Sequence, residues 1–281
     1  MIPLDPSDRK PVGRTGEFVS AIGLGTWAIR DYRKALQAYL EAVRLGLDNI
    51  DTAEMYDNGG AERFVGELVR VVGRTSIFIT TKLLPQRFRS RESTVKAARL
   101  SLERLGVREA DLILIHWPDD LASIEEQARN LEALAEEGLS RYIGVSNFTL
   151  EELERARSSL KKHDIAVNQV KYSILDRTVE KEMLPYAIRE GITIQAYTPL
   201  ERGEVLKASK VREIASKYGK TPIQIALNYL ISRPRVVALP KAEKVEHVRE
   251  IAGALGWRLR EEDVTPTPPL KGRGFPASQE A

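Results

Sequence analysis

An apolar run, LGLDNID, closes on Asp51, and a tyrosine, Tyr56, follows five residues later in DTAEMY, ahead of the glycine pair Gly59 and Gly60. Two later runs end the same way on one ionisable residue. SIFITTKL places Lys82 after Ile77, Phe78 and Ile79, and ADLILIHWP places His116 after Leu112 to Ile115 and stops at Pro118. A tyrosine hydroxyl, with a pKa near 10, is too weak an acid to donate efficiently at neutral pH. A neighbouring ammonium favours the phenolate, and a carboxylate holds that ammonium in place. In this reading Tyr56 is the general acid, Lys82 its tuner and Asp51 the partner of Lys82. His116, taken as neutral, donates a hydrogen bond to a substrate carbonyl oxygen. Each residue alone has an ordinary role as turn aspartate, surface lysine, loop aromatic or core histidine. Their joint placement at successive strand ends points to a site.

Other strand ends suit a nucleotide. GVSNF offers Ser146 and Asn147, the next strand carries Asn168 and Gln169, and ITIQAYTPL ends on Tyr197, whose flat face suits stacking. Lys241, after VVALP, opens a helix N-terminus, a natural anion site. Amides for a carboxamide, an aromatic platform and a phosphate site together describe a nicotinamide dinucleotide. GLGTW, from Gly23 to Trp27, lacks the full G-x-G-x-x-G spacing, which disfavours a Rossmann fold.

These groups converge only if the strands are parallel and present their carboxyl ends to one side. Strand-like cores lie near 21–25, 48–52, 77–81, 111–116, 142–146, 165–172, 193–198 and 236–240. Amphipathic stretches separate them, beginning with YRKALQAYLEAVRLG and including a double stretch over 205–232. Ser123, Thr149 and Thr221-Pro222 are good helix starts. Eight strands each followed by helix predict a (β/α)8 TIM barrel over residues 1–264, preceded by an N-terminal β-hairpin. The Pro/Gly-rich stretch 265–281 reads as a flexible tail or a wrap over the rim.

Of the 281 residues 42% are hydrophobic, and 43 Lys plus Arg against 40 Asp plus Glu give +3 without long single-sign blocks. That excludes a nucleic-acid footprint. The polar start and the lack of a long apolar run predict a cytoplasmic protein without membrane association. With no cysteine, thiol chemistry is excluded, and three scattered histidines, at 116, 163 and 247, offer no metal site. A charged content of 30% leans towards a thermophilic source.

GLGTW, DTAEMY, the Lys82 strand, LILIHWP, GVSNF, NQV, AYTPL and LPKA, in this order, resemble the aldo-keto reductases of prokaryotic type. The resemblance runs from about Lys10 to Val264. It implies a barrel that binds NADP(H) extended across the rim and transfers the 4-pro-R hydride to an aldehyde or ketone, as a monomer. The family's catalytic tetrad falls on Asp51, Tyr56, Lys82 and His116. Its cofactor contacts fall on Gly25, Thr26, Asp51, Ser146, Asn147, Gln169, Tyr197, Thr198, Leu200, Pro240, Lys241, His247 and Glu250, and Arg202 reads either as a clamp on the pyrophosphate or as a solvated side chain. Trp27 and Trp117, with Tyr56 and His116, match the substrate pocket.

Several positions depart from the family pattern. Ala242 and His247 stand where a Ser and an Arg often grip the 2′-phosphate, and Ile251 where an adenine-binding Asn is common, which opens NAD(H) as a cofactor. Glu201 replaces a small residue, and Lys171 stands where many members carry Glu. Two other readings keep the barrel: a Schiff-base aldolase using Lys82, and a non-catalytic nucleotide-binding redox sensor.

Overall fold

The computed structural model describes residues 4–264. Strands β1 (Arg9–Pro11) and β2 (Phe18–Ser20) form the expected antiparallel hairpin. Strand and helix then alternate: β3 (Leu24–Gly25), α1 (Tyr32–Arg44), β4 (Asn49–Asp51), α2 (Gly60–Val72), β5 (Phe78–Leu83), α3 (Arg91–Leu105), β6 (Ala110–Ile115) and α4 (Ile124–Glu136). There follow β7 (Ser140–Ser146), α5 (Leu150–Ser159), β8 (Ile165–Lys171), α6 (Met183–Glu190) and β9 (Thr193–Tyr197). The chain continues through α7 (Ser209–Tyr218), α8 (Pro222–Ile231), β10 (Val236–Leu239), α9 (Val245–Ala252) and a short α10 (Glu261–Val264).

Strands β3 to β10 pair in parallel in chain order. A bridge between Ile22 and Ala238 closes the sheet into a (β/α)8 barrel, reinforced by Gly23 and Gly25 amides donating to Ala238 and Pro240 carbonyls at 2.9 Å. The first barrel strand is shorter than the expected 21–25, with Ile22 reaching Ala238 through a single bridge. A Cβ on Gly23 would lie 2.6 Å from the Asn49 carbonyl oxygen, so only glycine fits there.

Side chains alternate along the strands with period two. Phe78, Leu112, Leu114, Val167, Val237 and Leu239 fill the barrel, and Val12 and Val19 of the hairpin seal its N-terminal end. Ile79, Ile113, Ile115, Val145 and Ile194 face outward into the helical layer. With one end plugged by apolar residues, the polar strand ends share the other.

Ser123, Thr149 and Thr221 each cap a helix in a reciprocal box with the residue three positions on. Thr178–Glu180 form a separate 3-10 turn ahead of α6. Glu180 there accepts the Tyr172 hydroxyl at 2.5 Å and also that of Tyr229. No helix among the described residues is long and apolar enough to cross a membrane. The tail expected at 265–281 lies outside the described residues.

Candidate active site

At the carboxyl end of the barrel, β4 delivers Asp51 and β5 delivers Lys82, both nearly fully buried. The Lys82 ammonium donates to both oxygens of Asp51 at 2.7 Å and to the Thr52 carbonyl at 2.9 Å. Gln169, from β8, donates at 2.7 Å to Asp51 and at 2.8 Å to Gln195 of β9. A polar layer thus crosses the barrel and fixes the carboxylate from two sides.

Tyr56 begins a 3-10 turn after β4, and its ring lies 5.1 Å below the Lys82 ammonium. The same ring meets the His116 imidazole edge-on, with centroids 5.7 Å apart. Trp117 packs against His116 at 4.6 Å. Four groups from three successive strand ends therefore meet in one place, as their spacing suggested.

Burial lowers the Lys82 pKa, and the Asp51 carboxylate works against that shift. Burial likewise pushes Tyr56 well above the ordinary phenol value, and the charges of Asp51 and Tyr197 push the same way. The expected lowering of Tyr56 by Lys82 does not emerge in this state. The ammonium's hydrogen bonds go to Asp51 and Thr52, and it faces the ring of Tyr56. His116 is held at about 2, mainly by burial and then by the Lys82 charge, so its imidazole is neutral. Its Nδ1 is buried without a hydrogen-bond partner.

Ser146 and Asn147 end β7; Asn147 donates to the His116 carbonyl at 3.1 Å, and Tyr197 donates to Asn147 at 2.8 Å. Ala28, Asn147, Thr198, Glu201 and Arg202 all adopt left-handed backbone at this rim. Such conformations cost energy in residues other than glycine and gather at functional sites. Thr26 and Thr52, at the ends of β3 and β4, bury hydroxyls that have no partner.

A sequence-unexplained pair also finds its place. Lys171, at the end of β8, lies 3.4 Å from Glu201 and 3.3 Å from Asp176, and Ser173 donates to Glu201 at 2.7 Å. The two departures from the family pattern meet in one ion pair that latches the loop after β9. From that loop exposed Arg202 lies over Trp27 at 5.5 Å, linking the β9 and β3 loops.

The model of the Aldo/keto reductase family matches residues 21–266. The chain belongs to that family. It is 35% identical over 248 residues to methylglyoxal reductase YeaE of Escherichia coli, covering 85% of this chain and 86% of the relative. Glyoxal reductase of Bacillus subtilis is 34% identical over 246 residues, covering 86% of this chain and 85% of that one. Among solved structures, an aldo-keto reductase from Klebsiella pneumoniae in complex with NADPH superposes with a TM-score of 0.85 at 32% identity, covering 91% of this chain and 93% of that one. This chain is therefore an NAD(P)H-dependent carbonyl reductase, an oxidoreductase of TIM-barrel fold.

The aldo-keto reductase's own rim fits a nicotinamide. It gathers the side-chain amides of Asn147 and Gln169, the Ser146 hydroxyl and the partly exposed ring of Tyr197. A Cβ built on Gly25 meets nothing closer than 3.7 Å, which leaves room for close approach beside Asp51. Leu200 precedes the latched loop, and buried Pro240 sits on the barrel seam. His247 is exposed on α9, with Glu250 one turn further along. Sequence reasoning missed Gln195, whose role depends on cross-barrel register, and Glu243, which forms an ion pair with Lys241. No signal short of the folded contact identifies either residue.

Proposed function

We propose that the reductase protonates its substrate through Tyr56, with His116 orienting the carbonyl oxygen and the Lys82–Asp51 pair fixing the electrostatics around both. The observation that carries this is the convergence of Tyr56, His116 and Lys82 on one buried spot. When bound, the nicotinamide cofactor supplies the hydride. Neutral His116 can donate one ring N–H without bringing a second positive charge beside Lys82. Tyr56 keeps its proton until negative charge develops on the substrate oxygen, and then delivers it. Ser146, Asn147 and Gln169 hold the carboxamide, and Tyr197 stacks on the ring. Gly25, Thr26, Thr198, Leu200, Arg202, Pro240, Lys241, His247 and Glu250 line the rest of the groove.

Trp27, Met55 and Leu121, in the loops after β3, β4 and β6, are exposed, and Trp117 packs half-buried against His116. Apolar side chains in the loops on this side of the barrel, above one polar cluster, suit small carbonyl compounds. Relatives named for methylglyoxal and glyoxal support dicarbonyls as the substrate class. We further take residues 1–264 as one catalytic unit, acting as a monomer in the cytoplasm of a thermophilic source.

Oxidation of NADPH and NADH, followed by absorbance with methylglyoxal, glyoxal and a reactive aromatic aldehyde, tests the substrate class. Turnover with the dicarbonyls is expected to exceed that with the aromatic aldehyde. The reverse ranking, despite demonstrable cofactor binding, would overturn the dicarbonyl assignment. The locked Lys82 ammonium disfavours Schiff-base chemistry, so borohydride with a carbonyl substrate is expected to trap no adduct on it.

A further inference from the structure

Lys241 is the cation that a 2′-phosphate would use, and in this structure a carboxylate holds it. Its ammonium pairs with one oxygen of Glu243 and donates to the Ala28 carbonyl at 3.2 Å. The other Glu243 oxygen accepts the backbone amides of Arg30 at 3.2 Å and Asp31 at 3.3 Å. Glu243 therefore ties the β10–α9 loop to the β3–α1 loop and draws Lys241 into the tie. Burial opposes ionisation of Glu243, but the Lys241 ammonium and the two amides outweigh it and hold the carboxyl below its ordinary range.

The surroundings do not compensate. Ala242, next to Lys241, is buried and has no hydroxyl to offer. His247 is exposed and lacks the fork of donors with which an arginine grips phosphate. A phosphate dianion approaching Lys241 meets a carboxylate that already neutralises it. A free ribose hydroxyl, by contrast, can donate to a carboxylate, the contact by which acidic residues commonly receive the ribose of NAD.

We propose that Glu243 sets the dinucleotide preference of this reductase, withholding Lys241 from a 2′-phosphate so that NADPH gains little advantage over NADH. The proposal rests on the adenosine ribose lying at this corner of the rim.

Calorimetric titration of the full chain tests it without turnover, using NADPH, NADH and the fragments 2′,5′-ADP and 5′-AMP. Native protein is expected to bind the two dinucleotides within about one order of magnitude of each other. Glu243→Gln keeps an acceptor for the Arg30 and Asp31 amides but removes the charge. It is expected to tighten NADPH and 2′,5′-ADP by about tenfold, the worth of one freed charge contact near the surface, without tightening NADH or 5′-AMP. Adding Lys241→Met to that variant is expected to abolish the gain.

Three results would overturn the assignment: native preference for NADPH beyond about a hundredfold, equal change in all four ligands, or a gain that survives Lys241→Met. Failure of both dinucleotides to bind native protein would instead contradict the cofactor site itself.

Discussion

Tyr56 illustrates how a residue's neighbours and its environment can act in opposite directions. From the sequence, an adjacent lysine suggests a more acidic phenol. In the folded chain burial raises the phenol pKa, and the Lys82 ammonium is directed to Asp51 and Thr52. Asp51, Lys82 and His116 were legible because each follows or closes an apolar strand, and Tyr56 because of its short spacing from Asp51; their electrostatic balance was not, because burial is a property of the fold. Removing one partner of a buried ion pair leaves the other uncompensated. Asp51→Asn is therefore expected to lower unfolding free energy by about 3–5 kcal/mol in urea titrations. A loss below about 1 kcal/mol would mean that the pair is effectively solvated.

His116 supplies a second prediction at this scale. Its pKa in the folded protein is about 2, below the ordinary histidine value of about 6.5 in the unfolded chain. Between those values the unfolded chain binds more protons, so stability is present above about pH 6.5 and is lost as pH falls towards 2. Native protein should thus lose stability relative to His116→Asn on acidification from about pH 7 to pH 5. A constant gap between their urea midpoints over that range would show that His116 is not buried as a neutral ring.

Among the elements, helices with strong caps were readable, and strand order followed from their alternation. The latch between β8 and the loop after β9 was not, since Lys171 and Glu201 are distant in sequence and meet only through the register of adjacent strands. Lys171→Glu would set like charges side by side and free the loop that carries Arg202. Cofactor release, measured by stopped-flow fluorescence, is expected to quicken by about two- to fivefold, the scale of a partly exposed ion pair, and to lose some of its salt dependence. An unchanged rate would mean that the loop does not gate the groove.

At the scale of the whole molecule, the barrel divides its labour between two ends. The hairpin and apolar interior close one end, and strained loops and unpartnered hydroxyls mark the other. Charge networks link elements around this core. Glu136 pairs with Arg91 and Lys162, both at 3.0 Å, and Asp111 pairs with Arg74 and Arg141, both at 2.8 Å. Networks of this kind gain value with temperature. The thermal midpoint is expected to exceed the mesophile range of about 45–65 °C and to fall at high salt. A midpoint within that range would remove the thermophilic reading.

The most direct test of the catalytic assignment compares native protein with Tyr56→Phe in two measurements on the same preparations: NADPH binding, and turnover with methylglyoxal. With Tyr56 as proton donor, turnover falls by about two to four orders of magnitude while cofactor affinity stays within about twofold. Equal losses in both, or turnover that survives, would contradict the role assigned to Tyr56 and with it the chemistry read from this site.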